Sequence, residues 1–305
     1  MALDHAAMAA GFALAIQEDR HPAVVPIDIK DHLLVLHHLI NSHSLEACRR
    51  YAAEDCIPWG RFKKFDELRW IVLHAPRNIR PGMVESVVAN RASDLIVCPR
   101  PGATRVVLVF TGAHHQFGGP LRLIHRWLAQ LDASLIYLID NDWSYYLGPM
   151  RGLGGSMTDK AEALNRIIGD LGATSCFCLG TSGGGFGALV LAPYLGAKRV
   201  LAYSPPTVLR ESLPAIQRKV PGLDPLLSPE GTIDIADLRT RHDQVPPTKI
   251  YYPADNAHDL IEAENLRGVP GVELRPLEGE TDHNLMPRVI SRGLFGLHLD
   301  WLVRD

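Results

Sequence analysis

A chain of 305 residues, 47% hydrophobic and 21% charged, has the composition of an ordinary globular protein, long enough for one large α/β core with an appendage or for two domains. A formal net charge of -3 gives no electrostatic reason to expect nucleic acid or an anionic membrane as partner. No apolar run reaches the roughly 18–20 residues of a membrane span, and the five cysteines (Cys48, Cys56, Cys98, Cys176 and Cys178) form an odd, scattered set without metal spacing. Reduced thiols in a cytoplasmic protein are expected.

In chain order, residues 2–17 are Ala-rich and apolar. Acidic Asp4 comes early with no basic region before it, so this stretch is expected to be a helix and not a signal peptide. Residues 31–51 predict a second helix, with Leu34, His37, His38, Leu45 and Cys48 along one face; Pro22 and Pro26 separate the two. Residues 68–73 read as a strand or short helix, and 84–90 and 93–98 as strands. Residues 1–83 carry no chemical motif and are expected to be a helical extension leading into edge strands.

From there the chain alternates. Arg105–Phe110 is apolar and β-branched without a period-two break, as in a strand covered on both faces. Helix follows at 121–131, strand at 134–139, helix at 159–171 and strand at 174–179. Further strands are expected at 199–203, 249–252 and Val272–Leu277, with a closing helix at 289–303. Such alternation argues for an α/β class with a mostly parallel, doubly wound sheet. The stretch 205–247 breaks the rhythm with eight prolines, Pro205 and Pro206 among them. A structureless loop of that length would be unusual, so short helices at 209–219 and 233–239 are expected to make it a small cap over the strand ends, or else a surface packing excursion.

The most informative stretch is Gly180-Thr181-Ser182-Gly183-Gly184, which follows the buried strand at 174–179 and precedes a segment of small and apolar residues. A G-x-S-x-G placed between strand and helix lifts a serine hydroxyl onto the apex of a sharp turn, beside the new helix's N-terminus. A phosphate-cradling turn is the competing reading. Against a dinucleotide site, the next strand ends in Ala202-Tyr203-Ser204-Pro205 with no acid for a ribose.

With a strand at Arg105–Phe110, this turn, acids after a later strand and a histidine near the C-terminus, residues 84–305 resemble the α/β-hydrolase superfamily. The resemblance implies Ser182 as nucleophile and His283, between the last strand and last helix, as base. Asp255 and Asp259 compete for the acid: Asp255 sits immediately past its strand, whereas Asp259 stands where an aspartate is also a favoured helix cap, which slightly favours Asp255. The backbone N–H groups of Gly183 and Ala113 are the expected oxyanion donors, although Thr111-Gly112 stands where many relatives have His-Gly. His114, Trp143 and Tyr145 are candidate substrate-binding residues, with solvation or packing as their alternatives. Asp140 and Asp142 lack calcium-loop spacing, so no metal is expected, and no cofactor is required. The expected activity is serine hydrolysis of a small-molecule ester, thioester or amide through an acyl-enzyme. Acyl transfer by the same triad and a non-catalytic scaffold of the same fold are the alternatives.

Overall fold

The computed structural model describes residues 3–20, 24–25, 27–61, 63–84, 86–87, 92–210, 226–228 and 231–304. Four helices open the chain: α1 (His5–Gln17), α2 (Ile29–Ser42), α3 (Leu45–Ala53) and α4 (Lys63–His74). The single helix expected at 31–51 is two, because His43 is extended and the Ser44 side chain accepts the Ala47 N–H, capping a fresh helix. The stretch 68–73 belongs to α4.

Strands β1 (Leu95–Cys98), β2 (Arg105–Phe110) and β3 (Ser134–Leu138) follow, with α5 (Leu121–Leu128) between the last two. Then come α6 (Met157–Asp170), β4 (Ser175–Thr181), α7 (Gly183–Tyr194) and β5 (Val200–Tyr203). The hairpin strands β6 (Val208–Arg210) and β7 (Thr232–Asp234) lead to α8 (Ile235–Thr240). The chain closes with β8 (Thr248–Pro253), α9 (Ala257–Glu264), β9 (Val272–Leu277), α10 (Met286–Ser291) and α11 (Leu294–Leu302). The closing helix expected at 289–303 is thus two, broken where Gly293 takes φ 68. The strand expected at 84–90 and the helix expected at 209–219 lie largely outside the described residues. Of the helix expected at 233–239, the first two residues belong to β7.

The sheet is seven-stranded in the order β1-β3-β2-β4-β5-β8-β9, with β1 antiparallel to β3 and every other pairing parallel. Side chains alternate between its faces, as strand geometry requires. Val107 and Val109 of β2 join Leu135, Phe177 and Leu201 in a layer with α1–α5, α10 and α11. Val106, Leu108 and Phe110 face the opposite layer, built on α6, α7 and α8. The N-terminal helices therefore share one core with a face of the sheet; Phe12, Leu36, Leu39 and Phe65 are all buried in it. The described part of 205–247 packs elsewhere. Ile235 and Leu238 of α8 lie against Leu189 and Val190 of α7, and Thr207 is bonded to Glu262 of α9.

Helix and sheet approach each other very closely where α7 leaves β4. A Cβ added to Gly184 would lie 2.3 Å from the Phe110 carbonyl oxygen and 2.5 Å from that of Thr111; one added to Gly180 would lie 2.3 Å from the Gly184 carbonyl oxygen. These obstacles are backbone, which cannot swing aside. Gly184→Ala should therefore cost about 1–3 kcal/mol through forced separation of helix and sheet. Gly169→Ala, in α6 with nothing within 4 Å of the new methyl, should be neutral or stabilising. Thermal denaturation of both variants checks the contrast.

Candidate active site

Ser182 stands between β4 and α7 at φ 52, ψ -128, a conformation a non-glycine residue adopts only at a cost of about 1–3 kcal/mol. Its backbone is held from both sides: its N–H donates to Tyr203 O at 2.8 Å, and its carbonyl accepts from Gly185 N and Phe186 N at 2.8 and 3.2 Å. The turn points the hydroxyl away from the sheet towards the loop that follows β9. There His283 Nε2 lies 2.9 Å from Ser182 Oγ, and His283 Nδ1 lies 2.7 Å from Asp259 Oδ1. One tautomer serves both contacts, with Nδ1–H donating to the carboxylate and Nε2 accepting from the hydroxyl.

Asp259, and not Asp255, meets the histidine. Asn256 caps α9 by accepting from the His258 and Asp259 N–H groups, and this phase turns Asp259 inwards, where it is 3% exposed. Asp255 is exposed and is engaged through its own N–H to Glu280 O. The sequence leans slightly towards Asp255; the carboxylate in contact with the histidine is that of Asp259. Proximity to the strand's end was the weaker guide; helical phase decides which carboxylate faces the edge of the sheet. A negative side chain in the first turn of α9 also lies at the favourable end of that helix's dipole.

The Asp259 contact raises the His283 pKa above its ordinary value, first by its hydrogen bond and then by its charge; Asp282 adds to this and burial opposes it. Beside this line the Gly183 and Ala113 N–H groups donate no hydrogen bond among the described residues. Gly112 presses against the serine turn, where an added Cβ would lie 2.9 Å from Thr181 O and 3.5 Å from Ser182 Cβ. The two loops carrying these amides are therefore in contact.

The three expected substrate-binding residues separate. His114 lines the cavity at Ser182, whereas Trp143 and Tyr145 are outside its described lining. Trp143, half exposed, sets its ring edge-on to His114 with centroids 5.3 Å apart. Tyr145 lies beside the Ser182 turn, its ring 3.3 Å from where a Gly183 Cβ would be. Tyr146 anchors their loop: its hydroxyl donates to Thr111 O at 2.7 Å, and Asp140 accepts from the Ser144 hydroxyl and the Tyr146 N–H. Asp140 is thereby a loop-former.

The cavity, about 710 Å³, is lined, besides Ser182, by residues without any sequence motif: Leu33 and His37 of α2 and Leu68 and Ile71 of α4. Ile71 would lie 2.7 Å from a Cβ at Gly119 in the loop that follows β2, so α4 abuts that loop directly. Among the described residues, none of the proline-rich stretch 205–247 lines this cavity. A charged group completes the wall. Lys63 of α4 pairs with Asp282 at 2.6 Å, next to His283. Burial and the neighbouring Asp282 charge push the Glu67 carboxyl up to about 7, against the opposing pull of Lys63 and Arg288. Burial keeps the His37 pKa low, favouring a neutral ring. Neither α2 nor α4 carries a local signal that would have marked these positions. Among the described residues, no group of three or more His, Cys, Asp or Glu is placed to hold a metal ion, and no helix is long and apolar enough to cross a membrane.

No protein-family model matches the chain, and no curated protein does. Among solved structures, an S-formylglutathione hydrolase from Agrobacterium tumefaciens is 18% identical with a TM-score of 0.49, over 74% of this chain and 98% of that one. The capsule O-acetyltransferase of Neisseria meningitidis serogroup A is 15% identical with a TM-score of 0.48, over 67% and 90%. An esterase from Thermogutta terrifontis is 16% identical with a TM-score of 0.46, over 73% and 92%. The serine turn after a buried parallel strand and the Ser182, Asp259 and His283 contacts stand at the carboxyl ends of the strands of a seven-stranded, mostly parallel sheet covered by helices on both faces, an α/β architecture.

Proposed function

We propose that the protein is a serine hydrolase acting on an ester, thioester or amide of a small molecule through an acyl-enzyme. The observation that carries the reading is the continuous hydrogen-bonded line Asp259–His283–Ser182, with bonds of 2.7 and 2.9 Å, opening into the cavity. In this reading His283 takes the Ser182 proton as the hydroxyl attacks the substrate carbonyl, and returns it to the leaving group. Asp259 keeps the imidazole in the working tautomer and stabilises the imidazolium. The Ala113 and Gly183 amides hold the tetrahedral oxyanion. Water then enters on the same face, activated by the same histidine, and releases the acid. An acceptor other than water would make the protein an acyltransferase by the same steps.

The same reading divides the chain at about residue 83 and takes the helices before it as a fixed lid. Leu33, Leu68 and Ile71 supply an apolar surface for the substrate, and His114, backed by Trp143, borders it.

Labelling with a fluorophosphonate probe and peptide mapping tests the nucleophile. Adduct is expected on the Ser182 peptide and none in Ser182→Ala; a folded wild type that stays unlabelled sinks the proposal. Asp259→Asn should lower kcat on p-nitrophenyl acetate by about 10³–10⁴-fold, while Asp255→Asn, at an exposed position, should leave it within about threefold.

The working base is the neutral imidazole, so labelling should speed up as pH rises through a His283 pKa lying above the ordinary value of about 6.5. Asp259→Asn removes the bond that raises it and leaves the burial that lowers it. The acid limb of the rate profile should therefore shift to lower pH, alongside the loss of rate. A limb that stays in place would separate Asp259 from the titrating group.

The lid is tested by Ile71→Trp, which fills part of the cavity that Ser182 also lines. Hydrolysis of a p-nitrophenyl octanoate should fall by about tenfold or more relative to the acetate, read as the ratio of kcat/KM values. An unchanged ratio would place the acyl chain elsewhere.

A further inference from the structure

The parallel strands β4, β5 and β8 lie side by side, and each sends one group to the histidine loop. β4 leads to Ser182 and β8 to Asp259, the two partners of the imidazole. The middle strand, β5, leads to Ser204. Its side-chain Oγ donates to the backbone carbonyl of His283 at 2.9 Å. His283 is therefore gripped at three points, two on its ring and one on its backbone, from three adjacent strand ends.

Ser204 is an unusual residue for that place. It is 2% exposed and has φ 45, in the left-handed region that favours glycine. Its N–H donates to Tyr251 O at 2.8 Å, and the following Pro205 lies 2.9 Å from where a Gly185 Cβ would be. The chain here is pinned between β8 and α7. Glycine would meet the backbone demand at less cost. What serine adds is the hydroxyl, and that hydroxyl is spent on His283. Backbone strain held by its surroundings next to reacting groups is a recurrent property of functional sites.

We propose that Ser204 is a positioning residue for the reaction, setting the height and tilt of the His283 imidazole over Ser182 through the His283 carbonyl. The proposal rests on the Ser182–His283–Asp259 reading above. Two further contacts hold the same loop from other sides: Asn284 Nδ2 donates to Gly118 O at 2.9 Å, and Asp282 pairs with Lys63. Neither acts on the His283 backbone itself, so neither replaces the Ser204 bond. Loss of that bond lets the imidazole drift, and misplacement by about 1 Å costs on the order of 10²-fold in rate.

Two variants separate positioning from mere support. Ser204→Gly relieves the φ strain and removes the hydroxyl, so it should melt at or above the wild-type temperature. Its kcat on p-nitrophenyl acetate, and its rate of labelling at Ser182, should fall about ten- to hundredfold with KM little changed. Ser204→Thr keeps the hydroxyl but places a β-branched residue at positive φ; it should be the less stable of the two and yet the more active. Activity and stability thus run in opposite orders. If Ser204→Gly labels as fast as wild type, or if kcat follows melting temperature across the three proteins, the proposal is overturned. A wild type that shows no Ser182 labelling overturns the triad reading first, and this inference with it.

Discussion

The structure depends on how closely α7 approaches β4 and β2. The helix begins one residue after Ser182, and its first turn lies against the Phe110 and Thr111 carbonyls with no room for a single methyl. Glycine at 180 and 184 is the condition for that approach. The consequence runs outward from there. With helix and sheet in contact, Ser182 must take a strained backbone, its hydroxyl stands clear of the sheet, and the N-terminal turn of α7 brings the Gly183 amide beside it. A looser packing would lower the strain and lose the geometry.

Around this rigid centre the histidine loop is held by small contacts of different kinds. Two belong to the ring of His283 and one to its backbone. Others tie the loop to Gly118, in the segment that follows β2, and to α4 through Lys63 and Asp282. The Lys63–Asp282 pair is partly exposed, so its contribution to stability is small, on the order of 0–1 kcal/mol. Its effect is one of place: it fixes where α4 begins relative to His283, and so the shape of the cavity between them.

The N-terminal helices are built into the body of the molecule. They are continuous in packing with the sheet face that carries Val107, Val109 and Leu135. Leu36 and Leu39 of α2 are buried in that shared core, while Leu33 and His37 of the same helix reach the cavity. One helix thus serves stability and the site together. The same economy appears in α4, where Phe65 is buried in the core and Leu68 and Ile71 line the cavity.

Local chemistry in the chain determined the alternating strands and helices, the glycine-bounded turn at Ser182 and the segment holding His283, because periodicity, turn residues and a strand–turn–helix motif are properties of neighbours in sequence. Arg105–Phe110 and Val272–Leu277 are strands at the bounds the sequence predicts. The same reasoning ran the helix through 31–51 and 289–303, since apolar periodicity continues across breaks that depend on one extended residue, His43, and one left-handed glycine, Gly293. Tertiary structure alone decided the rest. The sequence separates Asp255 and Asp259 only slightly, and the phase of α9 against the sheet buries Asp259 and exposes Asp255. It also brought α2 and α4 over the cavity, and set Ser204 beneath His283, 79 residues away. Such contacts arise from strand order and layer packing, which place distant residues together at one edge of the sheet without leaving a local pattern in either segment.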